Sequence, residues 1–188
     1  MKVALIGSHG VGKTTLCFEL AAALKRRNVD LDMVREVARR CPLPINQATT
    51  VAAQEWILHT QIAWEIEARA THETVLCDRS VLDNYCYLVH AAGTVRAWEQ
   101  FLDFWMPTYD LLVHVPISEH PAYDGVRAVD PGFQEMIEIL IEGMVAARGL
   151  KPLRLDAAAR DGWCEAIVEA LLPRLEPTLP LFSDGGAR

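Results

Sequence analysis

Gly7-Ser8-His9-Gly10-Val11-Gly12-Lys13-Thr14 is the stretch on which the fold turns. It satisfies G-x-x-x-x-G-K-[ST] at every fixed position. A loop that wraps phosphate must aim several backbone N–H groups inward, and the glycines Gly7, Gly10 and Gly12 permit the backbone angles this needs. The motif requires a strand before it and a helix after it. Lys2–Ile6 is a short apolar run, and Lys13–Arg27 carries Leu16, Leu20, Ala23 and Leu24 at helical spacing. The helix that starts near Lys13 points its positive dipole end at the same anion. The segment Gly7, Ser8, His9, Gly10, Val11, Gly12, Lys13, Thr14 and Thr15 is therefore expected to hold the triphosphate of ATP. Lys13 reaches the β- and γ-phosphates and the Thr14 hydroxyl reaches Mg²⁺. Thr15 is expected to support the first helical turn, and His9 to face solvent.

Outward from the loop, short apolar strands alternate with helical stretches. Leu31–Val34, Thr74–Cys77 leading into Asp78, Asp110–Val115 and Pro152–Leu155 read as strands two to five. Asn46 is the expected cap of a long helix reaching about His72, with no Gly or Pro to interrupt it. Val81–His90 and Thr94–Trp105 read as helices separated by Gly93. Pro131 opens a helix from the N1 position and Arg160–Leu172 forms the last one. This pattern predicts an α/β three-layer fold with five parallel strands and helices on both faces.

At 188 residues the length predicts one domain, with a segment over the active edge at about 117–130 and a tail at 173–188. The formal net charge of −7 speaks against a protein that coats nucleic acid. Five scattered cysteines, with no C-x-x-C pair, predict buried free thiols. Met1-Lys2 leads straight into four apolar residues, too few for a secretory leader, and no run suits a membrane span. A cytoplasmic protein, a monomer or homodimer, is expected.

Asp78 ends an apolar strand where open α/β sheets bind ligands, so it is a candidate Mg²⁺ ligand beside Thr14. Arg79 follows it and can stabilise charge on a transferring phosphoryl group; the alternative is a structural Asp–Arg pair. No Asn-Lys-x-Asp is present to select guanine. Arg79 stands where a motor or AAA+ ATPase would offer a second acid, and the chain is short for an AAA+ module with its lid. A small phosphotransferase remains.

Glu36 sits just beyond strand two, where a carboxylate suits general-base work on an attacking hydroxyl. Asp78 is the other candidate base, and a carboxylate opening the short helix 36–40 is the alternative for Glu36. Arg39 stands with Arg35 and Arg40 at the same place. Gln54, Leu58, Gln61 and Glu65 lie within about 60° of one helix face. Ile62 and Ile66 border that face, placing the amides at the edge of buried surface, where they could read a planar polar group. Trp56 and Trp64 read as core or interface anchors.

These motifs, in order, resemble the nucleoside and nucleotide kinases of the P-loop superfamily, and among them the NadR-like kinases that include nicotinamide riboside kinase domains. The resemblance rests on Gly7–Thr15, Glu36-x-x-Arg39, Gln54 with Gln61, Asp78-Arg79-Ser80 with Asp83 and Tyr87, and Asp124-Gly125-x-Arg127. Phage enzymes that phosphorylate hydroxymethylated pyrimidines in DNA look similar too. The resemblance implies transfer of the γ-phosphoryl of ATP to a hydroxyl of a nucleoside-like or nucleotide-like acceptor. It implies Lys13, Glu36, Asp78, Arg79 and Arg127 as catalytic, and Glu36, Arg39, Gln54, Gln61, Asp83 and Tyr87 as acceptor contacts. Segment 117–130 resembles the LID of these kinases, with one arginine where nucleotide kinases often have several. Nucleic acid is a possible acceptor that the charge disfavours, and a regulatory NTP-binding switch without an acceptor is the reading from another class.

Overall fold

The computed structural model describes residues 1–118 and 130–175. His120, Tyr123, Asp124, Gly125 and Arg127 lie outside the described residues, as does the tail from 176. Five strands, β1 (Lys2–Ile6), β2 (Leu31–Val34), β3 (Thr74–Asp78), β4 (Leu111–His114) and β5 (Leu153–Arg154), form one sheet in the order β2-β3-β1-β4-β5. Every pairing is parallel, as the run of short apolar segments predicts. The helices are α1 (Lys13–Lys25), α2 (Val51–Thr71), α3 (Val81–Ala92), α4 (Arg96–Trp105), α5 (Pro131–Ala147) and α6 (Trp163–Leu175).

Alternation along the strands divides the core in two. Ala4, Ile6, Val75 and Cys77 pack with Leu82, Tyr85, Leu102 and Ile137 of α3, α4 and α5 on one face. Val3, Leu5, Leu76 and Val113 pack with Leu16, Leu20 and Ile167 of α1 and α6 on the other. Both faces of the sheet are thus covered, and β1 and β3 are buried throughout.

Three boundaries differ from expectation by three residues or more: the start of α2 and both ends of α6. Thr50, not Asn46, caps α2: its side chain accepts from the Ala53 N–H at 3.2 Å. Asn46–Ala48 closes a separate 3₁₀ turn, with Asn46 at φ 60°, so the chain re-enters extended backbone at Thr49 before the helix begins. The last helix starts at Trp163 and continues through Pro173 to Leu175, because Ala157–Gly162 is spent on 3₁₀ turns capped by Asp156. All five cysteines are free; Cys17, Cys77 and Cys86 are buried as expected, whereas Cys41 and Cys164 are partly exposed.

The topology fixes where chemistry can occur. Leu5 pairs with Asp78 across β1 and β3, so the loops that leave these strands run side by side from the same edge. The phosphate-loop backbone is pressed against the end of β4. A Cβ on Gly7, whose φ is 140°, would stand 2.5 Å from the Val115 carbonyl oxygen. Gly7→Ala should therefore lower unfolding stability by about 1–3 kcal/mol through backbone strain alone. Gly143→Ala, inside α5 with nothing within 4 Å of its Cβ position, should be neutral or stabilising. Urea denaturation of the two variants checks the contrast.

Candidate active site

The loop after β1 is held from three sides. Gly7 N–H donates to Asp83 Oδ1 at 2.8 Å, Ser8 N–H to Glu138 Oε2 at 2.9 Å, and Gln134 Nε2 to the His9 carbonyl at 2.7 Å. Lys13 is buried and its ammonium donates to the Gly7 and Ser8 carbonyls at 2.7 and 2.5 Å, folding back onto the start of the loop. Burial, then the charge of Arg79, lowers its pKa to about 8, while Asp83, Asp78 and Glu36 oppose the fall.

Beside it, Thr14 Oγ1 donates to Asp78 Oδ2 at 2.6 Å. Burial and next the charge of Glu36 push the Asp78 carboxyl above its ordinary value, against the Thr14 hydrogen bond and the Lys13 and Arg79 charges. A hydroxyl and a carboxylate in contact at the sheet edge are the hard oxygen donors that suit Mg²⁺. The donor set fits the ion that the motif implies.

Glu36 follows β2 and meets two arginines. Its Oε1 accepts from Arg79 Nε at 3.0 Å and Nη2 at 2.9 Å, and its Oε2 from Arg39 Nε at 2.7 Å. Burial works to raise the Glu36 pKa, but Arg79, Lys13 and Arg39 outweigh it and hold it at about 2. Arg79 lies in a left-handed conformation, φ 103°, rare for a residue with a side chain. Its guanidinium sits 5.2 Å above the Tyr87 ring and is 3.4 Å from the Tyr87 hydroxyl.

A cleft opens above these groups. His9, Glu36, Arg39, Gln54, Arg79, Asn84 and Tyr87 line it, with Ile45 and Ile57 as apolar walls. The structure brings Glu36, Arg39, Gln54, Arg79 and Tyr87 together there. Two of the expected acceptor contacts are placed elsewhere. Asp83 completes a capping box on α3, accepting from Ser80 N–H at 2.9 Å and Oγ at 2.7 Å, and its other oxygen holds Gly7; it braces the phosphate loop. Gln61 is fully buried and outside the cleft, donating to Glu65 at 2.9 Å and the Arg79 carbonyl at 3.3 Å. The helix face was read correctly, but it turns inward to the core rather than along its edge. His9 is also a correction: it is buried, 3.1 Å from the Tyr87 hydroxyl, with its ring 5.0 Å from Phe133.

Asn84 was missed from sequence. It is 3% exposed, and its Nδ2 has no hydrogen-bond partner among the described residues although it lines the cleft. The signal available was a lone amide one residue after the Ser80–Asp83 box. Gln134 and Glu138 were missed as well; they are polar residues spaced by four on the otherwise apolar inner face of α5.

A model of an AAA domain family, AAA_28, matches residues 2–160. The chain belongs to this family. The AAA label sits beside the expectation that set motor ATPases aside; in this AAA_28 protein the residue after Asp78 is Arg79, not a second acid. No curated protein matches the sequence significantly. Among solved structures, deoxyadenosine kinase from M. mycoides with bound dATP aligns at a TM-score of 0.64 and 18% identity, covering 91% of this chain and 98% of that one. The same kinase with dCMP and dCDP bound aligns at 0.59 and 15%, with equal coverage. The likeness establishes the P-loop kinase fold with its five-stranded parallel sheet. No described helix is long and apolar enough to cross a membrane.

The ion pairs of Glu36 carry a pH signature. Its carboxyl falls from 4.5 to about 2 in the folded protein. A depressed carboxylate contributes stability that is fully present above the unfolded value and is lost as pH falls through the folded one. Here that amounts to about 3 kcal/mol, lost between about pH 4.5 and about pH 2. Urea denaturation from neutral pH to the acid limit should show the wild type losing stability more steeply than Glu36→Gln. Parallel profiles would mean that the pairs are not formed in solution.

Proposed function

We propose that this AAA_28 protein is an ATP-dependent kinase for the hydroxyl of a nucleoside-like acceptor, as the cofactor-binding motif and the kinase fold together suggest. One observation carries the reading. A half-buried carboxylate, Glu36, stands at the junction of a triphosphate loop and a cleft lined by paired cations and amides. A hydrolase has no need of such a cleft.

In this reading ATP lies along Gly7–Thr15 with Lys13 on its β- and γ-phosphates, leaving its carbonyl partners to meet the anion. Thr14 and Asp78 would hold Mg²⁺, which would supply positive charge against the phosphates. The acceptor hydroxyl is oriented by Glu36. Its oxygen forms a bond to the γ-phosphorus as the bond to the β–γ bridging oxygen breaks, ADP departs, and Glu36 accepts the proton. Arg79 follows the charge of the moving phosphoryl group. A carboxyl held near 2 is a weak base, but arrival of a triphosphate neutralises the Lys13 and Arg79 charges that hold it there, so Glu36 gains basicity when loaded. Arg127 remains a candidate for the same triphosphate.

The acceptor end is read by amides. Gln54 Nε2 is engaged by the Thr49 hydroxyl at 2.7 Å, leaving its oxygen to accept, while Asn84 Nδ2 has no partner among the described residues and is left to donate. A donor and an acceptor facing one cleft suit a planar amide or amidine edge, such as a nucleobase or carboxamide. Arg39 and Tyr87 flank it.

A second groove favours a larger acceptor as an alternative. It runs outward from Thr14, Asp78 and Glu36 past Arg35, Arg40 and Trp64, with Arg40 lying 5.3 Å over the Trp64 ring. An anionic chain, such as DNA bearing a hydroxymethylated pyrimidine, could follow it to Glu36.

Transfer of ³²P from [γ-³²P]ATP to nucleosides, nucleotides and hydroxymethylpyrimidine DNA separates these acceptors. Lys13→Ala should abolish transfer in a folded protein. Asn84→Leu should lower acceptor kcat/KM by about two- to twelvefold, one neutral hydrogen bond, with ATP KM unchanged. ATP turnover that no acceptor stimulates would point to the switch or ATPase reading instead.

A further inference from the structure

We propose that the buried carboxylate of Glu65, acting through Gln61 and Tyr109, positions Arg79 by fixing the backbone on both sides of Ser80. The proposal rests on the reading of Arg79 as the cation that follows the transferring phosphoryl group.

Glu65 is 1% exposed and its two oxygens accept four hydrogen bonds. Oε1 takes Gln61 Nε2 at 2.9 Å and the Tyr109 hydroxyl at 2.6 Å; Oε2 takes Lys2 Nζ at 2.7 Å and Trp105 Nε1 at 2.9 Å. Two of these donors pass the constraint onward. Gln61 Nε2 also donates to the Arg79 carbonyl at 3.3 Å, and the Tyr109 hydroxyl accepts from the Val81 N–H at 3.0 Å. The carbonyl before Ser80 and the amide after it are thus both tied to one carboxylate.

Arg79 needs such a tie. At φ 103° its backbone is strained, and strain of this kind persists only where the surroundings over-determine it. The guanidinium is held from above by Glu36 and Tyr87, and the network holds the peptide from below. Direction matters as well as contact. Gln61 Oε1 has no partner among the described residues, and a flipped amide would turn that oxygen onto Glu65, so the charge of Glu65 selects the orientation that donates to Arg79. Burying the Lys2–Glu65 pair is a poor device for stability, since apolar residues of equal volume do as well. Saturated with donors, however, it orients two side chains that water or an apolar core could not.

The test uses MgADP with aluminium fluoride, a mimic of the transferring phosphoryl group that needs no acceptor, against MgADP alone. Gln61→Met and Tyr109→Phe should each weaken the aluminium fluoride complex by about two- to twelvefold, one neutral hydrogen bond, and leave MgADP affinity unchanged. In an Arg79→Lys background the same changes should add little, because their effect passes through the guanidinium. Tyr109→Phe keeps the ring and its packing, so it carries the test if Gln61→Met does not fold. Folded variants that bind the mimic like the wild type overturn the positioning role, as does a loss that persists in full in Arg79→Lys. If Arg79→Lys itself binds the mimic normally, the transfer role of Arg79 falls and takes this inference with it.

Discussion

Two cations and two carboxylates share a buried space at the carboxyl edge of the sheet, and the rest of the structure serves to keep them there. Lys13, Arg79, Glu36 and Asp78 come from the ends of two adjacent strands, β2 and β3, and from the start of the helix that follows β1. Removing one charge from such a set leaves another uncompensated in a low-dielectric setting, at a cost of several kcal/mol. Each member also shifts its neighbours: Arg79 holds Glu36 down and helps lower Lys13, while Glu36 helps push Asp78 up. The set is thus a single electrostatic object, and its geometry follows from the Leu5–Asp78 register, which brings the loops after β1 and β3 into contact.

Around that object lies a shell of polar residues whose hydrogen bonds end on backbone. Asp83 and Glu138 accept from the N–H groups of Gly7 and Ser8, and Gln134 donates to the carbonyl of His9. Glu138 is itself tied to His114 at the end of β4, at 2.5 Å. Helices α3 and α5 therefore both grip the first three residues of the phosphate loop. A loop with three glycines would otherwise sample many conformations, and ordering it at the moment of binding would reduce affinity. Here that ordering is done during folding.

The parts of this arrangement that the sequence disclosed are those set by local rules. The glycine spacing, the strand before it and the helix after it identify the phosphate loop, because each glycine answers a backbone demand within a few residues. The strand-ending Asp78 was legible for the same reason. What escaped depends on contacts far apart in the chain. Gln61 and Glu65 share a helix face with Gln54, yet only Gln54 reaches the cleft. The depth of each position is decided by how α2 lies on α3, β2 and β3, which periodicity does not encode. His9 reads as a polar loop residue until Phe133 and Tyr87, over 70 residues away, close over it. Asp83 had a local signature, the Ser80-x-x-Asp83 capping box, but its hold on the Gly7 N–H, 76 residues away, had none.

On the proposed reading, the pairing of Glu36 with Arg79 has a consequence for specificity. Water can enter the cleft as freely as any acceptor, and a strong base beside a bound triphosphate would activate it. A carboxylate held at about 2 by two guanidiniums and an ammonium does this poorly. The triphosphate loosens that hold by drawing Lys13 and Arg79 toward itself, and Arg39 still occupies the other oxygen of Glu36. An acceptor that engages Arg39 removes this last cation, and in the same motion places its hydroxyl against the carboxylate. Full basicity then appears only when both substrates are present, so discrimination against water comes from the order in which three cations are drawn off one carboxylate.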